Sequence, residues 1–458
     1  MTEASAAPRA VYFKLAVVAA MTVVLGVLIC RQVTGINGPD YWRWPWRVNR
    51  GFEPYALLFF TTIPLLVAQW KFIPKPGTAL PRILLLMATV LAFEITARGL
   101  DMVPFDLTRL VSITEEPGTT GYFTQAEKFL ASGKSIREFL GDYVRLMPTF
   151  PMHACNKPPG PTLFYVPFLR GTGTEDAAAM WGALTIGMLA TLGVPATYLF
   201  IRELTGDRAA AFHGATFFSL CPGLLLFIPE FDQIYPVFTC ILLILWAKSL
   251  QTGRVGWAVA MGLAFAAICF QTFNLLVLGV FVLGYAILVV VSKGKSAIST
   301  ILRQACIAGA TVVIAYGLLW LWSGYNPIRA LIVGVANQAR QQPTTGRFWP
   351  RTIPFDLTDF ALGLGWVCVL IAMFYLLTSI RQKTWPVLLA LLCFLQPIVV
   401  ALTGLLPGEN ARVFAFMIPL IMLPLGLELT HWPTSARLAA LACLWALTAM
   451  LSQNMVFV

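Results

Sequence analysis

Apolar runs long enough to cross a bilayer recur along the whole chain, and they restrict it to very few folds. A helix rises about 1.5 Å per residue, so roughly 20 apolar residues cover a hydrocarbon layer about 30 Å thick. Inside lipid every backbone N–H and C=O must find a partner within the protein, which leaves only helices or a closed barrel. The runs here, such as Val11 to Cys30, are continuous and do not alternate every second residue, which excludes an outer-membrane barrel. Charged residues make up only 12% of the chain, against about a quarter in a soluble domain. The expected fold class is therefore all-α, a polytopic transmembrane helical bundle.

Hydropathy places about thirteen spans, near 11–30, 54–70, 82–103, 175–201, 208–228, 232–249, 255–270, 274–292, 300–322, 358–379, 385–406, 412–430 and 436–456. The stretch 255–292 also reads as one broken hairpin, and 160–170 as a re-entrant or interfacial segment. Residues 1–80 hold two N-terminal spans and their connection; residues 81–458 hold the rest, with long loops at 104–160 and 323–357. Alternate short connections are basic, among them "KFIPKPGTALPR", "IRELTGDR" and "SKGKSAISTILR". The positive-inside rule puts these and the N-terminus in the cytoplasm. The opposite, periplasmic or extracellular face then gathers "GPDYWRWPWRVNR", both long loops, "PEFDQIYP" and "PGENAR". Length excuses arginine in the two long loops. It explains "YWRWPWR" and "GENAR" less well, and a shared anionic site is the favoured reading.

The nine cysteines form no CxxC pair, and most lie in apolar runs, as small core residues do. His153, His213 and His431 are too far apart to form a zinc signature. The first apolar run lacks a small-residue cleavage site and reads as a retained helix. Glu94 and Arg98, four residues apart within a span, read as a structural helix pair.

The motif "MHACNKPPGP" carries the clearest constraint. Pro158, Pro159 and Pro161 fix φ, and Gly160 permits close backbone approach, so the knot leads rigidly into the next apolar segment. Proline at a first helical turn would suffice as punctuation, but punctuation needs neither His153 nor Lys157. Upstream, "ITEEPGTTGYFTQAEKFLASG" sets Glu115 and Glu116 after a span, and a helix is expected from near Thr120, with Thr119 or Thr120 as its N-cap. "SIREFLGDYVRLM" places Ile136, Phe139, Leu140, Tyr143 and Met147 on one stripe, an interfacial pattern. Glu230 and Asp232 mark the end of a span, where carboxylates are either functional or simply at the water boundary. In the loop 323–357, Arg329, Arg340, Arg347 and Arg351 alternate with Tyr325, Phe348 and Trp349. Arginine suits bidentate phosphate recognition. Nucleic acid would fit that chemistry but not an outward-facing membrane loop. Glu409 and Arg412 stand at a further helix start, and Asp40 lies in the N-terminal connection.

From about Pro81 to Arg412 these elements resemble integral-membrane glycosyltransferases of the GT-C class. "KPPGPTLFYVP" is similar to the Lys-Pro-Pro segment of aminoarabinose transferases and protein O-mannosyltransferases. The resemblance implies a GT-C-like bundle with two added N-terminal spans, interfacial helices in the first long loop and a polyprenyl-phosphate sugar as donor. It implies Glu116 or Glu115 as the base. Chemistry at such a site assigns Lys157, Arg347, Arg351 and Arg412 to the phosphate, and Tyr122, His153 and Asp232 to sugar or acceptor, with Glu409 and Asp40 as further binding candidates. The acceptor is a lipid or glycan hydroxyl, and one displacement predicts inversion at the anomeric carbon. A divalent cation is compatible with the carboxylates, but the sequence does not require one. The chain departs from those families in having Glu-Glu where they usually carry Asp-Glu or Asp-x-Asp, and in lacking their large C-terminal soluble domain. The rival readings are a flippase or transporter for a lipid-linked sugar, which would favour an internal repeat that is not visible here, and a polysaccharide polymerase or ligase.

Overall fold

The computed structural model describes residues 6–47, 62–68, 79–100, 105–151 and 153–457. Among these every regular element is a helix, and the one extended pairing is an antiparallel bridge between Trp46 and Met455. The principal helices are α1 (Ala6–Cys30), α2 (Ala79–Gly99), α3 (Thr108–Glu115), α4 (Tyr122–Ala131), α5 (Ile136–Leu146), α6 (Gly160–Gly171), α7 (Glu175–Thr191), α8 (Gly193–Thr205), α9 (Arg208–Phe218) and α10 (Tyr235–Thr252). They continue as α11 (Val255–Gln271), α12 (Gly279–Lys293), α13 (Ala297–Ser323), α14 (Pro327–Thr345), α15 (Ile353–Leu364), α16 (Val367–Ser379), α17 (Trp385–Thr403), α18 (Ile418–Leu429) and α19 (Thr434–Asn454).

Eight helical segments of the described residues are long and apolar enough to span a membrane, or nine if α15 and α16 count as one span bent by 104°. This falls short of the thirteen expected from hydropathy. The expected span at 54–70 lies mostly outside the described residues. The run 208–228 breaks because α9 ends at Phe218 and Pro222 opens a separate short helix, Pro222–Leu225. The apolar helices Val255–Gln271 and Ala415–Leu429 are shorter than a full span. Hydropathy averages over such breaks and so overcounts.

The bundle is organised around α18, every residue of which is buried. It packs against α9, α16 and α17. Glycines allow the closest contacts, since a Cβ on Gly426 would overlap the Ala210 carbonyl oxygen, the small-residue packing expected where lipid gives no hydrophobic drive. Helix α1 lies along α19. Helix α13 packs mainly on α11 and leaves Val313, Leu318 and Leu321 exposed, as a lipid-facing helix would.

The segment between α2 and α7 folds as short helices. Helix α4 starts at Tyr122 from Gly121, whose φ is 72°, and not from a threonine cap. Helix α5 has a capping box between Ser135 and Glu138. It buries Phe139, Leu140 and Tyr143 from the expected stripe, Met147 is buried in the turn that follows it, and Ile136 is exposed. The Pro-Pro-Gly-Pro knot opens α6, with Pro161 in its first turn. Much of the loop expected at 323–357 is helix α14: Asn326 caps it by accepting from the Arg329 N–H at 3.0 Å, Pro327 follows, and Gly346 ends it at φ 68°. The expected Glu94–Arg98 pair is absent. Arg98 donates to the Leu226 and Phe457 carbonyls at 3.0 and 3.1 Å, while both Glu94 carboxyl oxygens are buried with no hydrogen bond.

Gly160 is the tightest position in the knot, because a Cβ there would overlap the Phe270 carbonyl oxygen and the Gln271 side chain. Gly160→Val should lower stability by about 1–3 kcal/mol, the usual cost of overpacking. Gly309→Ala, which meets nothing within 4 Å, should leave it unchanged or slightly raised. Thermal unfolding of both variants in detergent checks this; equal transitions would show that the knot has room.

Candidate functional site

Chain breaks and helix ends bring most of the singled-out charged residues together. The turn after Pro222–Leu225 delivers Glu230 and Asp232, and the short helix Asn410–Val413 delivers Arg412. Arg412 is almost fully buried. Its Nη1 lies 2.9 Å from Glu230, its Nη2 2.6 Å from Glu409, and its Nε 4.0 Å from Asp232. Glu409 offers its other oxygen to Arg347, at 2.7 Å. Removing one member of such a buried network typically costs about 3–5 kcal/mol, because the partner's charge is left uncompensated.

Two further carboxylates hold this loop in place. Asp356 on α15 accepts from the Gly408 N–H at 2.9 Å and from the Asn410 amide at 2.6 Å. Asp359, one turn on, accepts from the Ala411 N–H and from the Trp44 indole, both at 2.9 Å. These contacts hold Glu409 in the left-handed region at φ 56°, a costly conformation for a residue with a side chain. Sequence reading missed Asp356, Asp359 and Trp44.

Beside the network lies a cavity of about 430 Å³. His153, Lys157, Arg347 and Glu409 form its charged wall, with Trp42 beside them. Arg347 lies over the Trp42 ring, 5.4 Å from its centroid. Phe273, Leu276, Val277, Leu405 and Leu406 give it an apolar flank. The knot positions Lys157: Tyr143 of α5 donates to its carbonyl at 2.9 Å, and its ammonium donates to Asn274 at 2.6 Å. Among the described residues Lys157 has no carboxylate within ion-pair distance, in contrast to Arg347 and Arg412.

Burial and neighbouring charge set the protonation of this wall. Burial lowers Lys157 to about 8, so it remains mostly protonated near neutrality. Burial, with the positive charges of Arg412, Lys157 and Arg347 and only Glu409 opposing, lowers His153 to about 4 and keeps its ring neutral. Burial raises Glu230 to about 7 despite Arg412. For Glu409 burial is outweighed by Arg412, His153 and Arg347, and its carboxyl falls to about 2.

The remaining candidates lie elsewhere. Tyr122 is buried with its ring edge-on to Phe231 at 5.6 Å, and is not on the cavity wall. Arg351 is exposed, 5.5 Å from the Tyr41 ring centroid. Asp40 is exposed and pairs with Arg43 in its own turn. Glu116 is exposed and accepts from the Gly118 N–H at 3.2 Å. Glu115 is raised by partial burial and by the negative charges of Asp176 and Glu175. Neither glutamate lines the cavity. Among the described residues no three His, Cys, Asp or Glu side chains are placed to hold a metal ion. No known protein family matches the chain, and no curated protein does.

The titrations of His153 and Glu230 oppose each other. His153 falls from an ordinary 6.5 to about 4, so the unfolded chain binds more protons in that interval and stability drops as pH falls through it. Glu230 rises from an ordinary 4.5 to about 7, so the folded chain binds more protons and stability drops as pH rises through that interval. The two slopes should largely cancel between about 4.5 and 6.5. Thermal unfolding against pH should become steeper in opposite senses in two variants. His153→Asn should be destabilised by rising pH, and Glu230→Gln by falling pH. Parallel profiles for wild type and both variants would contradict these assignments.

Proposed function

We propose that this chain is an integral-membrane glycosyltransferase that moves a sugar from a polyprenyl-phosphate donor to an acceptor hydroxyl at the outer face of the membrane. The observation that carries this reading is the cavity: one wall is charged, with Lys157 free of any carboxylate partner among the described residues, and the flank is apolar. That combination suits an amphiphile with a phosphate head and a hydrocarbon tail. Lys157 faces the phosphate, and leucines of the flank face the isoprenoid.

The reaction needs little acid assistance, because a lipid phosphate is already a good leaving group. The acceptor oxygen attacks the anomeric carbon, and the bond from that carbon to the phosphate oxygen breaks, with its electron pair leaving on the lipid phosphate. Lys157 offsets the charge that develops there. The configuration inverts in this single displacement. The acceptor's proton passes to a base, and His153 is the better placed acceptor. It stands on the cavity wall with a neutral ring. An anionic phosphate beside it would raise its proton affinity toward neutral pH, where a base is most effective. Glu116 and Glu115 stand outside that wall and act as the base only if the acceptor approaches from their side.

Purified protein incubated with radiolabelled polyprenyl-phosphate sugars and membrane extract should transfer label to a product. Lys157→Gln should weaken donor binding about tenfold or more, since a charge-assisted hydrogen bond contributes roughly 1.5–3 kcal/mol. His153→Asn should retain binding and lose about 10²-fold or more in turnover, whereas Glu116→Gln should turn over normally. A dead Glu116→Gln with an active His153→Asn would return the base to the glutamate. Binding and leaflet exchange of the lipid without any product would replace the transferase with a flippase.

A further inference from the structure

The cavity face of α14 changes character over two turns. Leu331, Gly334 and Val335 line it at the N-terminal end, and Gln338 and Gln341 toward the C-terminal end. These spacings of three and four residues put all five on one helical face. The polar end is built against the Lys157 knot. Asn156, the residue before Lys157, donates to the side-chain oxygens of both Gln338 and Gln341 at 2.9 Å. Asn337 fixes the helix there by donating to the Cys155 carbonyl at 2.8 Å. Gly334 allows the approach, since a Cβ would come within 2.9 Å of the Asn156 carbonyl oxygen.

We infer that the carboxamides of Asn156, Gln338 and Gln341 form the donor's sugar subsite, and that this subsite takes an uncharged sugar, a hexose or an N-acetylhexosamine. The inference rests on the glycosyltransferase reading above. A sugar is joined to its phosphate through one oxygen, so with the phosphate at Lys157 it meets the polar groups next to Lys157. Asn156 directs its amide N–H groups at the two glutamine oxygens, and its own oxygen accepts from the Cys155 thiol at 3.2 Å. Gln341 donates to the Cys155 sulfur at 3.3 Å, so the cluster is rigid. The Gln338 amide N–H groups and the second lone pairs of the carboxamide oxygens match hydroxyl groups. The carboxamides offer no charge. Among the described residues Glu409 is the sole carboxylate on the cavity wall, and Arg347 and Arg412 hold both its oxygens. A cationic amino sugar would bury its ammonium without a counter-charge, which is costly. An anionic uronate would compete with the phosphate for Lys157, because Arg347 is already paired.

The test compares three donors with one polyprenyl-phosphate chain: mannose, aminoarabinose and galacturonate. Transfer and equilibrium binding are measured for each. Mannose should exceed both charged sugars by about tenfold or more in kcat/KM, at least the effect of one unmatched buried polar group. Gln338→Glu should reverse the order for the amino sugar, raising its use and lowering that of mannose, while Gln338→Met should lower mannose use alone. Equal or better use of a charged sugar by the wild-type protein overturns the neutral-sugar assignment and leaves the transferase intact. Failure of all three donors to bind overturns both together. Binding without transfer overturns the transferase, and the order of affinities still decides the sugar class.

Discussion

Arg412 carries a positive charge into the protein interior, where Glu230, Asp232 and Glu409 surround it. Burying an ion is costly unless it is paired and hydrogen-bonded. Here the three carboxylates come from two segments far apart in sequence, so the pairing fixes how the turn after α9 meets the turn before α18. Glu409 then extends the network to Arg347 at the end of α14. The geometry of the cavity wall follows from that chain of contacts. Arg412 itself has no place on the wall; its pairs hold together the segments that do.

The same pairing distributes function among the cations. Arg412 and Arg347 are both paired with carboxylates, while among the described residues the Lys157 ammonium meets the neutral Asn274 oxygen and no carboxylate. A site whose arginines are already neutralised has a modest net field, and among the described residues on the cavity wall Lys157 is the cation without a carboxylate partner. The Pro-Pro-Gly-Pro knot therefore matters because it holds that lysine, with Gly160 fitted against the Phe270 carbonyl and Tyr143 bonded to the Lys157 carbonyl.

Much of the helical character was legible in sequence, because lipid demands continuous apolar runs and surface helices show periodic stripes. The stripe of α5 and the special backbone of Gly160 could be read from residue type alone. The gathering of His153, Lys157, Arg347 and Glu409 on one wall was approached through loop alternation, a one-dimensional proxy for shared location. Glu115 and Glu116 looked equally prominent, but a charge beside a span says nothing of the direction it faces. Asp356 and Asp359 were missed because they lie within an apolar segment and serve backbone N–H groups, which no pattern reveals. Asn156, Gln338 and Gln341 were missed because neutral amides stand out little against a polar loop. Helix α14 could have been found from Asn326-Pro327 at its start and Gly346 at its end. Among the described residues the span count falls short of thirteen where Pro222 and the bend between α15 and α16 interrupt runs that remain apolar throughout.

The segment 45–47 runs beside 454–456, with the Arg47 N–H donating to the Asn454 carbonyl at 2.8 Å and the Val456 N–H to the Pro45 carbonyl at 2.9 Å. Trp42, a few residues earlier, lines the same cavity as Val413. Parts of the chain far apart in sequence thus meet around one chamber. As helices enter the membrane in order, α1 must wait for α19 before its flank is covered. The chamber can be complete only once the chain through Val413 is in place. A chain halted before Val413 would hold inserted helices around an incomplete chamber.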